Sequence, residues 1–185
     1  MRIGLYFGSF NPIHNGHLII AQHMMNTGIF DKIRFVISLQ NPFKNTTDLL
    51  DENLRLNCVK KAIENNENFE ASEIEFVLPK PSYTIQTVTA FRTNEPENEF
   101  SIILGSDNLE KLNEWKDIEK LLQYCDFHVY KRRGSDEIKP QMQGNFIFHD
   151  APFLDISATY IRGLINAGKS IKYLVPDEVV ALMKL

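Results

Sequence analysis

Residues 8–17 read GSFNPIHNGH and carry two histidines, His14 and His17, three positions apart. An imidazole can ligate a metal, shuttle a proton or donate an N–H to an anion. The zinc reading asks for a third ligand. No Glu follows His14 in an H-E-x-x-H pattern and no third ligand stands nearby, so catalytic zinc is disfavoured and no side-chain metal site is expected. The anion reading uses more of the stretch. It follows the apolar run IGLYF, where a buried strand should turn into a helix. Gly8 lets backbone approach a ligand without a Cβ in the way, and Gly16 does the same at the helix start. The first turn of that helix offers unpaired N–H groups and a positive dipole end. Placed three apart at the helix entry, the imidazoles lie on one face. Two N–H donors aimed at one anion stabilise its charge without a basic protein surface. A single loop histidine is usually only a surface hydrogen-bonding residue. Two of them in a Gly-flanked turn point to a nucleotide phosphate site.

A second cluster lies near the other end, where residues 156–162 read ISATYIR. Ser157 and Thr159 put hydroxyls at a helix N-terminus, where orphan N–H groups already favour an anion, and Arg162 adds a fork of donors one turn on. Such a set suits the β and γ phosphates of a nucleoside triphosphate. On its own it would read as a capped helix with a solvated arginine.

These groups need a scaffold, and the rest of the chain supplies one. Its 185 residues fit one domain over 1–185, with the late phosphate motif and a helical end from residue 150 onward. Short apolar runs at 3–7, 33–39, 100–104, 127–130 and 146–148 read as parallel strands covered on both faces. Residues 18–25 are apolar almost all round, as in a helix packed deep against a sheet. Residues 51–65 form an amphipathic cover helix with Leu54, Cys58 and Ala62 on one stripe and Leu56, Val59 and Ile63 beside it. Residues 84–92 and 107–123 are also helical, the second in two pieces. Ser157 caps a helix closed by Gly168, and Pro176 opens a last short one. The expected fold is α/β: a single Rossmann-like open, mainly parallel sheet with helices on both faces and a small C-terminal helical part. In such a sheet, ligands bind beyond the carboxyl ends of the strands where strand order reverses.

Composition narrows the function. A net charge of −4 argues against a general nucleic-acid binder, which needs a basic face. A polyanionic ligand must then be met by a local positive site, together with a metal ion. Cys58 and Cys125 stand far apart and suit a reducing compartment. The opening MRIGLYFGS does not look like a signal peptide and no stretch approaches membrane-spanning length, so a cytoplasmic protein with no membrane partner is expected.

GSFNPIHNGH resembles the signature of the H-x-G-H nucleotidyltransferase superfamily, which holds adenylyltransferases and cytidylyltransferases, and residues 156–162 resemble its late I-S-S-T-x-I-R pattern. Over nearly the whole chain the sequence is similar to bacterial nicotinate mononucleotide adenylyltransferases. Asn41-Pro42-Phe43-Lys44, the run Pro81-Ser82-Tyr83-Thr84-Ile85-Gln86-Thr87, Gly105-Ser106-Asp107-Asn108-Leu109 and Trp115 carry this likeness. The resemblance implies transfer of AMP from ATP to nicotinate mononucleotide, giving deamido-NAD and pyrophosphate in NAD biosynthesis, with Mg²⁺ accompanying ATP and the enzyme a monomer or homodimer.

It also implies roles. His14 and His17 donate to the α and β phosphates, while Lys44, Ser157, Thr159 and Arg162 hold the β and γ phosphates. Gly8, Ser9, Phe10, Gly16, Gly105, Asp107 and Ile156 complete the ATP site, with Asp107 accepting from a ribose hydroxyl or a neighbouring polar group and Gly105 allowing close approach; a helix N-cap is the other reading of Asp107. Asn11, Ser82, Tyr83, Thr84, Trp115 and Lys116 take the mononucleotide. Trp115 stacks on the nicotinate ring, and backbone N–H groups near Thr84 and Lys116 meet the carboxylate. A lone tryptophan is more often core, but the charged surroundings NEWKD argue for a partly open position.

Departures from the family pattern are few. The opening G-G-T-F-D-P appears here as FGSFNP, so Ser9 keeps a hydroxyl and Asn11 replaces a carboxylate. Pro79-Lys80-Pro81 stands where an Arg and a Gly are usual, and Ala158 removes one hydroxyl from the late motif. The same chemistry on nicotinamide mononucleotide is the nearest alternative. Phosphopantetheine adenylyltransferases share the first motif but are shorter. A non-catalytic nucleotide sensor on this fold should have lost part of the phosphate cluster. A nucleic-acid module of the class I tRNA synthetase kind lacks its K-M-S-K-S.

Overall fold

The computed structural model describes residues 1–40, 49–132, 134 and 138–183. Short runs that are apolar on both faces form the strands: β1 (Arg2–Gly8), β2 (Lys32–Ile37), β4 (Glu99–Gly105), β5 (Phe127–Tyr130) and β6 (Phe146–His149). A further strand, β3 (Phe69–Ser72), adds an edge that the apolar pattern does not announce. Its sequence FEAS is short and half polar because it pairs only with β2 and sets Glu70 against Arg34. The sheet order is β3-β2-β1-β4-β5-β6 and all five pairings are parallel.

Parallel neighbours require crossovers, and the helices α1 (Asn15–Asn26), α2 (Glu52–Ile63), α3 (Thr84–Asn94) and α4 (Ile118–Tyr124) provide them, followed by α5 (Ala158–Asn166) and α6 (Asp177–Leu182). Two cores result. One packs α1, α2, α5 and α6 on Tyr6, Ile33 and Phe35; the other packs α3 and α4 on Leu5, Val36 and Ile102. The strands therefore alternate their side chains between two apolar layers, which is why their sequences read as continuous hydrophobic runs.

Local chemistry sets the helix ends. Asp51 caps α2, its Oδ1 accepting from Asn53 N and Leu54 N at 3.0 Å each. Ser157 caps α5 by accepting from Tyr160 N at 3.2 Å, and Gly168 closes that helix with φ +65°. Residues 107–123 do divide, into a 3-10 segment (Ser106–Glu114) and α4, with Asp117 at φ +50° breaking the run between them. On α2 the buried stripe is Leu56, Cys58, Val59 and Ile63 together with Arg55, while Leu54 and Ala62 sit at its margin. Among the described residues no helix is long and apolar enough to cross a membrane.

At the end of the sheet away from the site, Arg34 is buried between charge and aromatic surface. Its Nε donates to Glu70, its two Nη groups donate to Glu95 at 2.7 and 3.0 Å, and its guanidinium lies 4.6 Å over the Phe91 ring. The bond from Arg34 holds the Glu95 carboxyl below its ordinary 4.5, against the opposing pull of burial. A depressed carboxyl contributes stability above its unfolded pKa, and that stability fades as pH falls through the folded value. Arg34→Met strands two carboxylates and is expected to cost about 2–4 kcal/mol of unfolding free energy at pH 7. Urea titration should show this gap between wild type and variant narrowing as pH drops below 4.5.

Candidate active site

β1 and β4 lie side by side, yet the chain leaving β1 crosses to β2 on one side and the chain leaving β4 crosses to β5 on the other. Their carboxyl ends therefore part and leave a crevice. It opens into a cavity of about 690 Å³, lined from the front by residues 6–11 with His14, Gly16 and His17 and from the rear by Ile156, Ser157, Thr159 and Arg162. Ser82, Tyr83, Thr84, Trp115 and Lys116 line it on one side, and Gly105 and Asp107 lie between. Every site residue expected from the sequence lines this one cavity except Lys44, which falls outside the described residues.

The histidines sit at the entry of α1, with His14 at the cap position. Their rings stack at 3.7 Å, and His17 Nδ1 accepts from His14 N at 3.2 Å. That bond requires an unprotonated Nδ1, so a neutral His17 carries its proton on Nε2. His14 is 5% exposed, and burial, helped by the Arg132 charge, lowers its pKa to about 4. His14 is thus neutral at pH 7, and its Nδ1 has no partner among the described residues. The stacked pair can offer N–H donors without confronting two positive rings.

At the glycines of the cavity a side chain would meet neighbours already in place. A Cβ on Gly8 would stand 2.8 Å from the Phe10 ring, and one on Gly16 would meet the His14 ring at 3.0 Å. A Cβ on Gly105 would strike Asp107 Oδ1 and Arg132 Cδ. They make room for the site's own side chains. Phe10, with φ +42°, tucks its ring among Tyr6, His17 and Phe35.

Two of the lining residues also have partners within the protein. Asp107 accepts from a neighbouring polar group, Arg132 Nη1 at 3.1 Å, while its helix-cap reading does not hold, because Gly105 occupies that position. Asn11 is buried, and its Oδ1 accepts from Leu50 N at 2.9 Å, so this side chain braces the chain entering α2. Arg132 itself escaped the sequence reading. Its backbone N–H donates to Ser106 Oγ at 2.9 Å, and it lines the cavity beside Tyr130. The signal was the basic run KRRG immediately after β5, at the carboxyl end of a parallel strand. Below it, the Tyr6 and Tyr130 hydroxyls lie 3.3 Å apart, and burial raises both their pKa values.

The rear cluster touches the front loop directly. Arg162 Nη1 donates to Asn11 O at 3.0 Å, while Nη2 reaches Thr159 Oγ1 at 3.4 Å. At the other end of the cavity, Tyr83 stands at the N-cap position of α3, the Lys116 ammonium lies 4.5 Å over the Tyr83 ring, and Trp115 is half-buried after the 3-10 segment. Among the described lining residues the carboxylates are Asp107, committed to Arg132, and Glu75, which accepts from Thr87 Oγ1. No group of three His, Cys, Asp or Glu among the described residues is arranged to hold a metal. The arrangement is a hollow of N–H, hydroxyl and cationic donors, suited to phosphate, with an aromatic recess at one side.

Comparison with known proteins agrees with this geometry. The cytidylyltransferase-like family model matches residues 5–164. A Cytophaga hutchinsonii protein described as a probable nicotinate-nucleotide adenylyltransferase is 48% identical over 183 residues, covering 99% of this chain and 95% of that protein. A Flavobacterium johnsoniae protein of the same description is 42% identical over 97% of this chain and 94% of its own length. Among solved structures, Plasmodium falciparum nicotinic acid mononucleotide adenylyltransferase complexed with NaAD superposes with a TM-score of 0.80 at 19% identity, covering 99% of this chain and 94% of that one. The chain belongs to the cytidylyltransferase-like family and, within it, to the nicotinate-nucleotide adenylyltransferases.

Proposed function

We propose that the protein transfers AMP from ATP to nicotinate mononucleotide, releasing deamido-NAD and pyrophosphate. The observation that carries this is the convergence of both motifs on one hollow, joined by the bond between Arg162 and Asn11. The mononucleotide's 5′-phosphate is already an anionic nucleophile at neutral pH. No activating base and no covalent intermediate are required. One of its oxygens forms a bond to the α-phosphorus of ATP while the bond from that phosphorus to the α,β-bridging oxygen breaks, and the electron pair leaves with pyrophosphate. The protein aligns two anions and stabilises the charge that develops on the leaving group.

In this reading the His14 and His17 N–H groups face the α and β phosphates. Lys44, Ser157, Thr159 and Arg162 hold the β and γ phosphates, and Arg132 adds a cation beside them. Ser82, Tyr83, Thr84, Trp115 and Lys116 receive the pyridine ring and its carboxylate, with the Lys116 charge favouring the acid over the amide. Among the described residues the cavity offers many N–H donors and no group of carboxylates arranged to hold a metal, so Mg²⁺ would enter with ATP and would supply neutralisation of triphosphate charge. The enzyme works in the cytoplasm as a monomer or homodimer. Support comes from relatives of full length and from the placement of the donors.

Two outcomes test it. His17→Ala should fold with an unchanged circular dichroism spectrum and lose roughly 10²–10³ in kcat, as expected for one aligned charge-stabilising donor; near-wild-type turnover would remove the histidines from the mechanism. Pyrophosphate release with ATP and each mononucleotide in turn should give a higher kcat/KM for the acid than for the amide. A preference for the amide would reassign the substrate.

A further inference from the structure

Opening a crevice at the carboxyl ends of β1 and β2 has a structural cost. Where the chain leaves the sheet, carbonyl groups lose their ladder partners, and in the interior they must find others. Arg55, on the first turn and a half of α2 and 1% exposed, meets four of them. Its Nη1 donates to Ser9 O at 2.6 Å and Ser38 O at 2.9 Å, its Nη2 to Leu39 O at 3.3 Å, and its Nε to Leu50 O at 3.1 Å. One guanidinium thus ties the loop after β1, the two residues after β2 and the chain entering α2. No hydrophobic residue and no lysine could do this, because only the planar fork presents five donors in fixed directions.

Glu75 extends the same network under the loop after β3. It is 3% exposed, and its Oε1 accepts from Thr87 Oγ1 at 2.8 Å on α3. Its Oε2 has no partner among the described residues, and burial raises its pKa, with the Thr87 hydroxyl and the Arg55 charge acting in the opposite direction. The Leu39 carbonyl is held by Arg55, and the next residue is tied to the loop after β3, Gln40 N donating to Ser82 Oγ at 3.5 Å. A backbone bond from Ser82 N to Gln40 O at 2.9 Å completes the link between the loops after β2 and β3. Glu75 holds α3 through Thr87, and the start of that helix carries Ser82, Tyr83 and Thr84, which line the cavity. The groups assigned to ATP, including Arg132, Ser157, Thr159 and Arg162, stand on the opposite side or at the rear.

We infer that Arg55 and Glu75 are positioning residues for the mononucleotide half of the site: through backbone and hydroxyl groups they hold the loops that receive the pyridine ring, and they touch no reacting atom. This rests on the proposed function, in which the mononucleotide lies at the Trp115 end. A displacement of about 1 Å in such loops is enough to cost on the order of 10²-fold in rate.

The test is steady-state kinetics of the full chain with ATP and nicotinate mononucleotide varied separately, alongside thermal melting, for Glu75→Gln and Arg55→Lys. Glu75→Gln should raise KM for the mononucleotide about 10-fold while KM for ATP moves less than about 3-fold, the scale of one lost charged hydrogen bond acting through a loop. Arg55→Lys keeps the charge and loses the fork; because it releases the Ser9 carbonyl on the ATP side as well as that of Leu39, KM for ATP rises too but by less than KM for the mononucleotide, and kcat falls. A variant that is merely less stable loses active fraction and lowers kcat without separating the two KM values. Equal shifts in both KM values, no shift in either, or failure of both variants to fold would overturn the assignment and leave the pair as scaffold. A wild-type protein inactive with every pyridine mononucleotide would instead overturn the functional reading, and this inference with it.

Discussion

The bond from Arg162 to the carbonyl of Asn11 joins positions 151 residues apart. It is the point at which the first and last functional segments of the chain become one site. A protein with net charge −4 that handles two anionic nucleotides cannot rely on its overall field, and needs donors gathered at close range. The sheet order makes that possible. With β1 and β4 adjacent and their crossovers diverging, the loop after β1 and the N-terminus of α5 are brought to the same end of the sheet.

Burial then decides what kind of donors these are. His14 lies deep enough that its imidazole stays neutral at pH 7, and His17 is fixed by its bond to the His14 amide so that Nε2 carries the proton. Neutral N–H groups can crowd together where two cations could not, as the 3.7 Å stack of the two rings illustrates. The cations, Arg132, Arg162 and Lys116, stand around the hollow and are held by partners of their own: Asp107, the Asn11 carbonyl and the Tyr83 ring. Preorganised dipoles at the centre with fixed charges around them match a reaction in which charge moves along a triphosphate.

Much of this was legible in the sequence. Five of the six strands, the two-piece segment after β4, and the caps at Ser157 and Gly168 follow from local patterns whose physics is local. β3 was not, because an edge strand with one partner needs no continuous apolar run and FEAS has none. Gly8, Gly16 and Gly105 line the cavity, and what their spacing did not show is that they also yield space to Phe10, His14 and the pair of Asp107 and Arg132. The buried charges Arg55 and Glu75 were invisible for the same reason: an arginine on an amphipathic helix looks solvated until the chain brings orphan carbonyls from other loops to meet it. Spacing along the chain shows which residues share a face; which groups lack a partner becomes apparent only in three dimensions.

The most direct measurement is a crystal structure of the full chain with a non-hydrolysable ATP analogue and nicotinate mononucleotide bound together. The account places His17 Nε2 within about 3 Å of an α- or β-phosphate oxygen, and Ser157 and Arg162 on the terminal phosphates of that same triphosphate. A triphosphate gripped by only one of the two segments, or bound outside the hollow between them, would contradict it.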